Sequence, residues 1–270
     1  MKERLIISLG NSVFRDKNEK TFDVLAEKII KLSSRFDIAV VFDSEVSEQE
    51  LSLALKNANI NQNHSKGVVS LSIQPLVNKT DPRFKTPSAF TGPEFSYYGA
   101  LKIAKEKGWV MKKDGEKKYR HFVPSVLPAD ILERREISEL LLGRKIVLIK
   151  NTSPVYRTKV LKLLRPAEAV VDRDRVAEKI AEVTKTDFLV FLMDESQVSL
   201  NFKTEAELKL RLLTPEEVKR YLNSNQFDSE TIGKKLTIAS KFAKKRKTSI
   251  LCSVKNLEDA LKSTSGTTIS

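Results

Sequence analysis

Glycine is scarce in this chain, and it is missing where a phosphate-handling α/β protein would need it. Only nine of 270 residues are glycine. The apolar run Ile146-Val147-Leu148-Ile149 is followed by Lys150-Asn151-Thr152-Ser153-Pro154-Val155, with no glycine at all. Backbone N–H groups close around a phosphate only where side chains leave them room. The scaffold therefore reads as a phosphate handler whose cradle is filled in. Cysteine is scarcer still: Cys252 stands alone, which excludes an internal disulfide framework and any site built from several cysteines. Its apolar neighbours Ile250 and Leu251 mark it as a buried strand thiol and not a nucleophile. No run of about 18 apolar residues occurs, so no membrane-spanning helix and no membrane partner are expected. The start Met1-Lys2-Glu3-Arg4-Leu5-Ile6-Ile7 reads as a first strand without a signal-peptide pattern, and a cytoplasmic location follows as the expectation.

What is present is a globular composition with an excess of positive charge. Hydrophobic residues make up 40% and charged residues 31% of the chain, enough to bury one large core or two joined lobes. The net charge of +13 favours anionic partners: phosphorylated metabolites, an acidic protein surface or nucleic acid. The densest basic run, Lys241-Phe242-Ala243-Lys244-Lys245-Arg246-Lys247, ends a helical stretch. The helix dipole there stabilises each cation by roughly 0.3–1 kcal/mol, so a solvated helix end accounts for it. No helix-turn-helix, zinc-finger or aromatic-and-basic RNA-binding signature appears. Nucleic acid is accordingly not an expected partner.

Apolar runs of strand length alternate with amphipathic helical stretches. Leu5 to Leu9 reads as a strand, Thr21 to Leu32 as a helix with Phe22, Leu25, Ile29 and Leu32 on one face, and Ile38 to Phe42 as a second strand. A helix over Glu48 to Asn57, a loop over Asn59 to His64 and a strand over Val68 to Ile73 follow. Such βαβ order predicts a mainly parallel sheet covered by helices on both faces. The order breaks between Pro75 and Pro128, where six of the nine prolines lie. A helix over Tyr97 to Lys107, stopped by Gly108, is embedded in this stretch, which reads as a protruding subdomain over about 75–128. The regular pattern then resumes with a helix Ile137 to Leu142 ending near Gly143, a strand Lys145 to Ile149, a helix Arg173 to Val183 and a strand Asp187 to Met193. Leu213-Thr214-Pro215-Glu216-Glu217 carries a helix start, with Thr214 as cap, Pro215 at the first helical position and Glu217 closing a capping box. A helix Lys235 to Lys245, a strand Ser249 to Cys252 and a short helix Leu257 to Leu261 complete the pattern. Linker signals are weak, which favours one domain with a first lobe over about 1–149 and a second lobe over about 150–270.

A set of short motifs gives the chain a family resemblance. Asn78-Lys79-Thr80-Asp81-Pro82-Arg83-Phe84, Thr91-Gly92-Pro93-Glu94-Phe95, Glu106-Lys107-Gly108-Trp109-Val110, Tyr119-Arg120, Val123-Pro124-Ser125 and Val171-Asp172-Arg173-Asp174 stand in the order and spacing of carbamate kinases. So do Asn225-Gln226-Phe227, Gly233-Lys234-Lys235 and Ser265-Gly266-Thr267-Thr268-Ile269. No single piece is specific, but all of them are in register. The resemblance covers roughly residues 3–269, faintly before Asn78. It implies the amino-acid-kinase fold, a three-layer αβα sandwich with a largely parallel central sheet and a protruding subdomain. It also implies phosphate transfer between ATP and carbamate in arginine catabolism, with carbamoyl phosphate on the N-terminal lobe and ATP or ADP with Mg2+ on the C-terminal lobe. Such transfer depends mostly on positioning and on positive charge around the moving group.

The resemblance assigns roles to a few residues. Lys235 matches a lysine that contacts the transferred phosphoryl group, and Asp174 matches the aspartate that holds the catalytic lysines. Arg173 stands where the family has lysine, keeping the charge but replacing a compact ammonium by a planar fork. Asp194 matches an acidic position of the nucleotide lobe, Gly233 belongs to the cofactor-side motif, and Gly10 with Asn11 stands in the first, substrate-side loop. No metal-ligating set is assigned. Each assignment has a plainer reading beside it: Asp172 and Asp174 at a helix start are natural caps, and Lys235 reads equally as a surface lysine.

Other parts of the family's machinery are missing. The first loop, Leu9-Gly10-Asn11-Ser12-Val13, keeps one glycine of two. The second, a His-Gly-Asn-Gly-Pro-Gln run in the family, is here Phe42-Asp43-Ser44-Glu45-Val46-Ser47, with two acids. At an effective dielectric of about 20, one like charge 4 Å from a phosphate costs on the order of 4 kcal/mol. The four-glycine loop is replaced by Asn151-Thr152-Ser153, although these side chains retain donors for a small anion. A family lysine of the protruding subdomain falls on Ala89. Removing one preorganised donor typically costs about 10²–10³ in rate. The segment after the second loop is also markedly shorter than the family's, and with it part of the expected dimer contact.

Three readings follow. The first is a carbamate-kinase-like protein with lost or strongly reduced phosphotransfer, acting by binding carbamoyl phosphate, another small anion or a protein, whether as a homodimer or together with an active kinase. The second is an active or altered ATP-dependent kinase using Arg173, Asp174, Asp194 and Lys235. The third is a basic scaffold that binds nucleic acid.

Overall fold

The computed structural model describes residues 2–14, 20–43, 45–62, 67–78, 109–113, 120–159, 161–228 and 231–270, with the side chains of 11, 20, 109–113 and 120–124 outside the description. Strand β1 (Glu3–Leu9) leads through a short 3-10 turn (Asn11–Phe14) to helix α1 (Lys20–Leu32), strand β2 (Phe36–Phe42), helix α2 (Glu48–Asn61) and strand β3 (Val68–Ile73). Four short strands follow: β4 (Pro75–Val77), β5 (Trp109–Lys113), β6 (Arg120–Val126) and β7 (Pro128–Ile131). Next come α3 (Arg134–Leu142), β8 (Ile146–Asn151), β9 (Val155–Arg157), β10 (Leu164–Pro166), β11 (Val170–Val171), α4 (Arg173–Val183) and β12 (Phe188–Leu192). The chain continues with β13 (Val198–Leu200), β14 (Leu208–Leu210), β15 (Leu212–Leu213), α5 (Pro215–Asn223), α6 (Ile232–Ala243), β16 (Thr248–Cys252), α7 (Leu257–Ala260) and β17 (Thr267–Ile269).

An eight-stranded sheet in the order β15-β17-β16-β12-β1-β2-β8-β3 forms the middle layer. Its neighbours run parallel except for β16 and β17. The strands are apolar on both faces because both faces are covered. Alternate residues divide between two cores. Ile6, Ala39, Val41, Val147, Ile149, Leu189 and Phe191 pack with α3, α4 and α6. Leu5, Ile7, Leu9, Ile38, Val40, Leu148 and Val190 pack with α1, α2 and α7. This is the αβα sandwich, and its strand β1 has β2 on one side and β12 on the other. The chain winds outward from β1 in both directions, so the carboxyl ends of β1, β2 and β12 form the switch point at which α/β sheets present their ligands.

Smaller sheets surround this frame. A four-stranded one runs β10-β9-β4-β7 and a three-stranded one β11-β6-β5. Apart from β5 and β6 their strands have two to four residues, too few for periodicity to reveal. The loop expected from Asn59 is instead the last turn of α2, which runs on to Asn61 with Gln62 donating to the Ala58 carbonyl at 3.0 Å. Leu51, Ala54, Leu55 and Ala58 form its buried stripe, and packing against the core overrides the weak helix propensity of the asparagines. The helix expected over Tyr97 to Lys107, Gly108 and Ala89 lie outside the described residues.

Candidate active site

Side-chain alternation decides which residues meet at the switch point. Ser8 follows Ile6 by two positions, Asp43 follows Val41, and Asn151 follows Ile149, so all three fall on the face covered by α4 and α6. Helix α4 begins directly above them. Its cap, Asp172, accepts from the Asp174 amide at 3.0 Å and the Arg175 amide at 3.4 Å, which satisfies donors that a helix start would otherwise offer to an anion. Helix α6 brings Lys234 and Lys235 to the same place.

The result is a closed network of charge. Lys235 Nζ lies 2.6 Å from Asp174 Oδ2 and Arg173 Nη2 lies 3.2 Å from Asp174 Oδ1. Ser8 Oγ donates to Asp174 Oδ1 at 2.5 Å and accepts from Arg173 Nε at 3.1 Å. The other end of the guanidinium, Nη1, reaches Asp43 Oδ2 at 3.2 Å. Asn151 Nδ2 donates to Asp43 Oδ1 at 3.1 Å and to the Val171 carbonyl at 3.0 Å. Lys234 clamps Asp172. Beneath Lys235 the Phe191 ring centroid lies 5.8 Å from Nζ, adding a cation–π contact.

These contacts set the protonation states. Burial alone would raise the Asp174 carboxyl, but the charges of Lys235 and Arg173 and the hydrogen bonds from Lys235 and Ser8 outweigh it and hold the group at about 2. Asp43 goes the other way. Its burial raises the carboxyl despite the opposing charge of Arg173 and the bond from Asn151.

The network brings together Lys235, Asp174 and Arg173, and Gly10 adjoins them. A Cβ on Gly10 would come 3.1 Å from Arg173 Nη2, so the guanidinium rests against the one glycine of the first loop. Asn11 opens the 3-10 turn that follows. Asp194 comes one residue after Met193 at the carboxyl end of β12 and is exposed. Gly233 has a packing reason of its own: a Cβ there would stand 2.8 Å from the Asp228 carbonyl, which already accepts from the Gly233 amide at 2.8 Å. Of the residues that replace the four-glycine loop, Asn151 and Thr152 turn inward, while Ser153 is exposed. Thr152 directs both its amide, at 3.2 Å, and its hydroxyl at the Ile73 carbonyl, so neither donor faces an anion. Among the described residues no group of three or more His, Cys, Asp or Glu side chains is placed to hold a metal ion. A hollow of about 290 Å³ lined by Glu48, Gln49, Ser52, Leu53, Lys56 and Ser70 lies on α2 and β3 and includes none of the charged cluster.

Sequence reasoning missed Ser8, although a lone hydroxyl inside an otherwise apolar parallel strand is a signal, because a buried hydroxyl needs a partner. The basic run at the end of α6 is largely paired within the fold: Lys245 with Glu182 at 3.2 Å and Lys247 with Asp187 at 3.0 Å. Lys241 Nζ lies 2.7 Å from the buried Glu178, in an ion pair whose alignment falls short of a hydrogen bond.

The chain is 27% identical over 312 aligned positions to a carbamate kinase of Pyrococcus horikoshii, covering 100% of this chain and 99% of that one. To a carbamate kinase of Clostridium perfringens it is 30% identical over 236 residues, covering 87% of this chain and 75% of the relative. The chain belongs to the carbamate kinase family. A scan against models of protein families finds no match. The fold agrees: a carbamate kinase from Giardia lamblia bound to AMP-PNP superposes with a TM-score of 0.78 at 22% identity, over 99% of this chain and 98% of that one. As a carbamate kinase relative the chain is short, since the Pyrococcus alignment runs over 312 positions against the 270 residues present here.

Proposed function

We propose that this member of the carbamate kinase family keeps the family scaffold while transfer of phosphate between carbamoyl phosphate and ADP is lost or strongly reduced, leaving a binding or regulatory role in the cytoplasm. The observation that carries this reading is the loop after β8. Where the family presents four glycines to a phosphate, Thr152 spends both its donors on the Ile73 carbonyl. Preorganised donors aimed at the developing charge supply much of the acceleration in phosphoryl transfer, at about 10²–10³ in rate for each one lost. The chain is read as one domain, with an acceptor lobe over about 1–149 that includes the protruding stretch 75–128, and a nucleotide lobe over about 150–270.

A second reading, an altered ATP-dependent kinase of arginine catabolism, is favoured by one specific observation. Lys235 and Asp174 remain paired at 2.6 Å, beside Arg173. In that case Lys235 and Arg173 would balance phosphate charge, while Asp174 would orient both. Asp194 and Gly233 would lie on the nucleotide side, Gly10 and Asn11 on the acceptor side. The carbamate kinase from Giardia lamblia was captured with AMP-PNP, so ATP or ADP is the nucleotide to test. Magnesium would have to enter largely on the nucleotide phosphates, because the described residues provide no cage of acids for it.

The two readings separate in one assay. Purified protein is supplied with carbamoyl phosphate, ADP and magnesium, and ATP is followed by luciferase against a Lys235→Met variant shown to be folded. The first reading expects equal, background traces. ATP formed by the wild-type protein alone, at about one turnover per second or faster, would establish the second. A thermal-shift titration with ATP reports binding separately, because a ligand at 100 times its Kd stabilises by about 2.7 kcal/mol.

A further inference from the structure

Three cations and three carboxylates meet at the switch point: Arg173 bridges Asp43 and Asp174, Lys235 pairs with Asp174 and Lys234 with Asp172. Two of these acids have an ordinary reason to be there, since Asp172 and Asp174 lie at the start of α4, where acids favour any helix. Asp43 has none. It sits one residue beyond β2 and caps no helix; Ser47, not Asp43, accepts from the first turn of α2. Yet both its oxygens are held, Oδ2 by the Arg173 guanidinium at 3.2 Å and Oδ1 by the Asn151 amide at 3.1 Å. A guanidinium and an amide converging on two oxygens form a receptor for an oxyanion, and this receptor lies beside Gly10, where a Cβ would come 3.1 Å from Arg173 Nη2.

We propose that Asp43 is an internal counter-anion: its carboxylate occupies the oxyanion position formed by Arg173 and Asn151 beside Gly10, and so excludes phosphate-bearing ligands from the switch point. The inference rests on the reading of this site as a former phosphate cradle and adds a cause to it. A tethered carboxylate competes at an effective concentration in the millimolar range or above, with no entropy of capture left to lose. An incoming phosphate must break two charge-assisted contacts and then sit against a negative group. Without the Asp43 charge the same atoms hold one cation in excess, which is the condition for binding an anion. Asp43 therefore decides the class of ligand the site admits.

The test is phosphate binding by isothermal titration calorimetry at low salt, with inorganic phosphate as the probe and chloride at matched ionic strength as the blank. Asp43→Asn keeps the shape and the Asn151 contact while removing the charge. Asp43 keeps 36% of its side chain at the surface, and its raised carboxyl means that the fold opposes its ionisation, so this substitution is compatible with folding. Asp43→Ser serves as a second variant. The expected result is phosphate binding roughly tenfold or more tighter in the variants than in the wild-type protein, the effect of freeing one charged donor. In the double variant Asp43→Asn with Arg173→Gln the gain should disappear. Phosphate binding in Asp43→Asn and Asp43→Ser no tighter than wild type would overturn the proposal, as would a gain that survives the loss of Arg173. Turnover is a separate readout: ATP made by the wild-type protein would defeat the loss of phosphotransfer, while phosphate affinity alone judges the role of Asp43.

Discussion

Asp174 is the residue on which the site turns. Nearly all of its side chain is buried, and it is held by Lys235, Arg173 and Ser8. A folded value of about 2 against an ordinary 3.8 means that its ionised form is favoured by folding. That contribution is fully present above pH 4 and is lost as the pH falls through the interval from 3.8 to about 2. It amounts to roughly 2 kcal/mol, and urea midpoints measured from pH 6 down to pH 2 should decline most steeply in that interval. Replacing Lys235 by Met leaves a buried carboxylate with fewer partners, and breaking a buried pair costs about 3–5 kcal/mol. Arg173 and Ser8 keep the loss at the low end, which a chemical melt at pH 7 would read directly. Cys252 makes a second case at this scale: burial pushes its thiol up to about 12. The native protein should leave Ellman's reagent unreacted at pH 8, with one equivalent released on unfolding.

The elements show what holds the site in place. Helix α5 carries the capping box expected from its sequence, with the Glu217 amide donating to Thr214 Oγ1 at 3.2 Å and Glu217 Oε2 accepting from the Thr214 amide at 2.8 Å. Thr214→Ala should cost about 1 kcal/mol in a thermal or urea melt. Helices α4 and α6 are tied together by the basic end of α6, and the consequences differ along it. Lys245 and its partner are both exposed, so Lys245→Ala should change stability by less than about 1 kcal/mol. Lys241→Ala strands the buried Glu178 and should cost about 1–3 kcal/mol. A basic run that reads as an anion-binding patch in one dimension is thus spent largely on the acids of a neighbouring helix.

At the scale of the whole molecule, much of the architecture is legible in one dimension. The apolar runs Leu5 to Leu9, Ile38 to Phe42 and Ile146 to Ile149 form central strands because covered parallel strands need no polar alternation. The helix starts at Thr214 and Asp172 announce themselves by side chains that satisfy orphan amides. The short strands β9, β10, β13 and β14 are not legible, since two or three residues carry no period. Lys235, Asp174 and Arg173 are identifiable from motif spacing. The pairing of Arg173 with Asp43 is not, because the two lie far apart in sequence and meet only where α4 begins over the ends of β1 and β2. Nor does sequence reveal that Thr152 turns its hydroxyl toward Ile73; in one dimension it looks like a donor available to an anion.

The central claim is that the carbamate kinase scaffold remains while the phosphate cradle is closed by its own side chains. The most direct measurement is 31P NMR of carbamoyl phosphate with ADP and magnesium, at protein concentrations comparable to the substrates, beside the Pyrococcus horikoshii enzyme as positive control. The account predicts that carbamoyl phosphate decays at the rate of the protein-free blank, with no ATP resonances. ATP appearing at about one turnover per second or faster, within the ordinary range of enzymes, would contradict it.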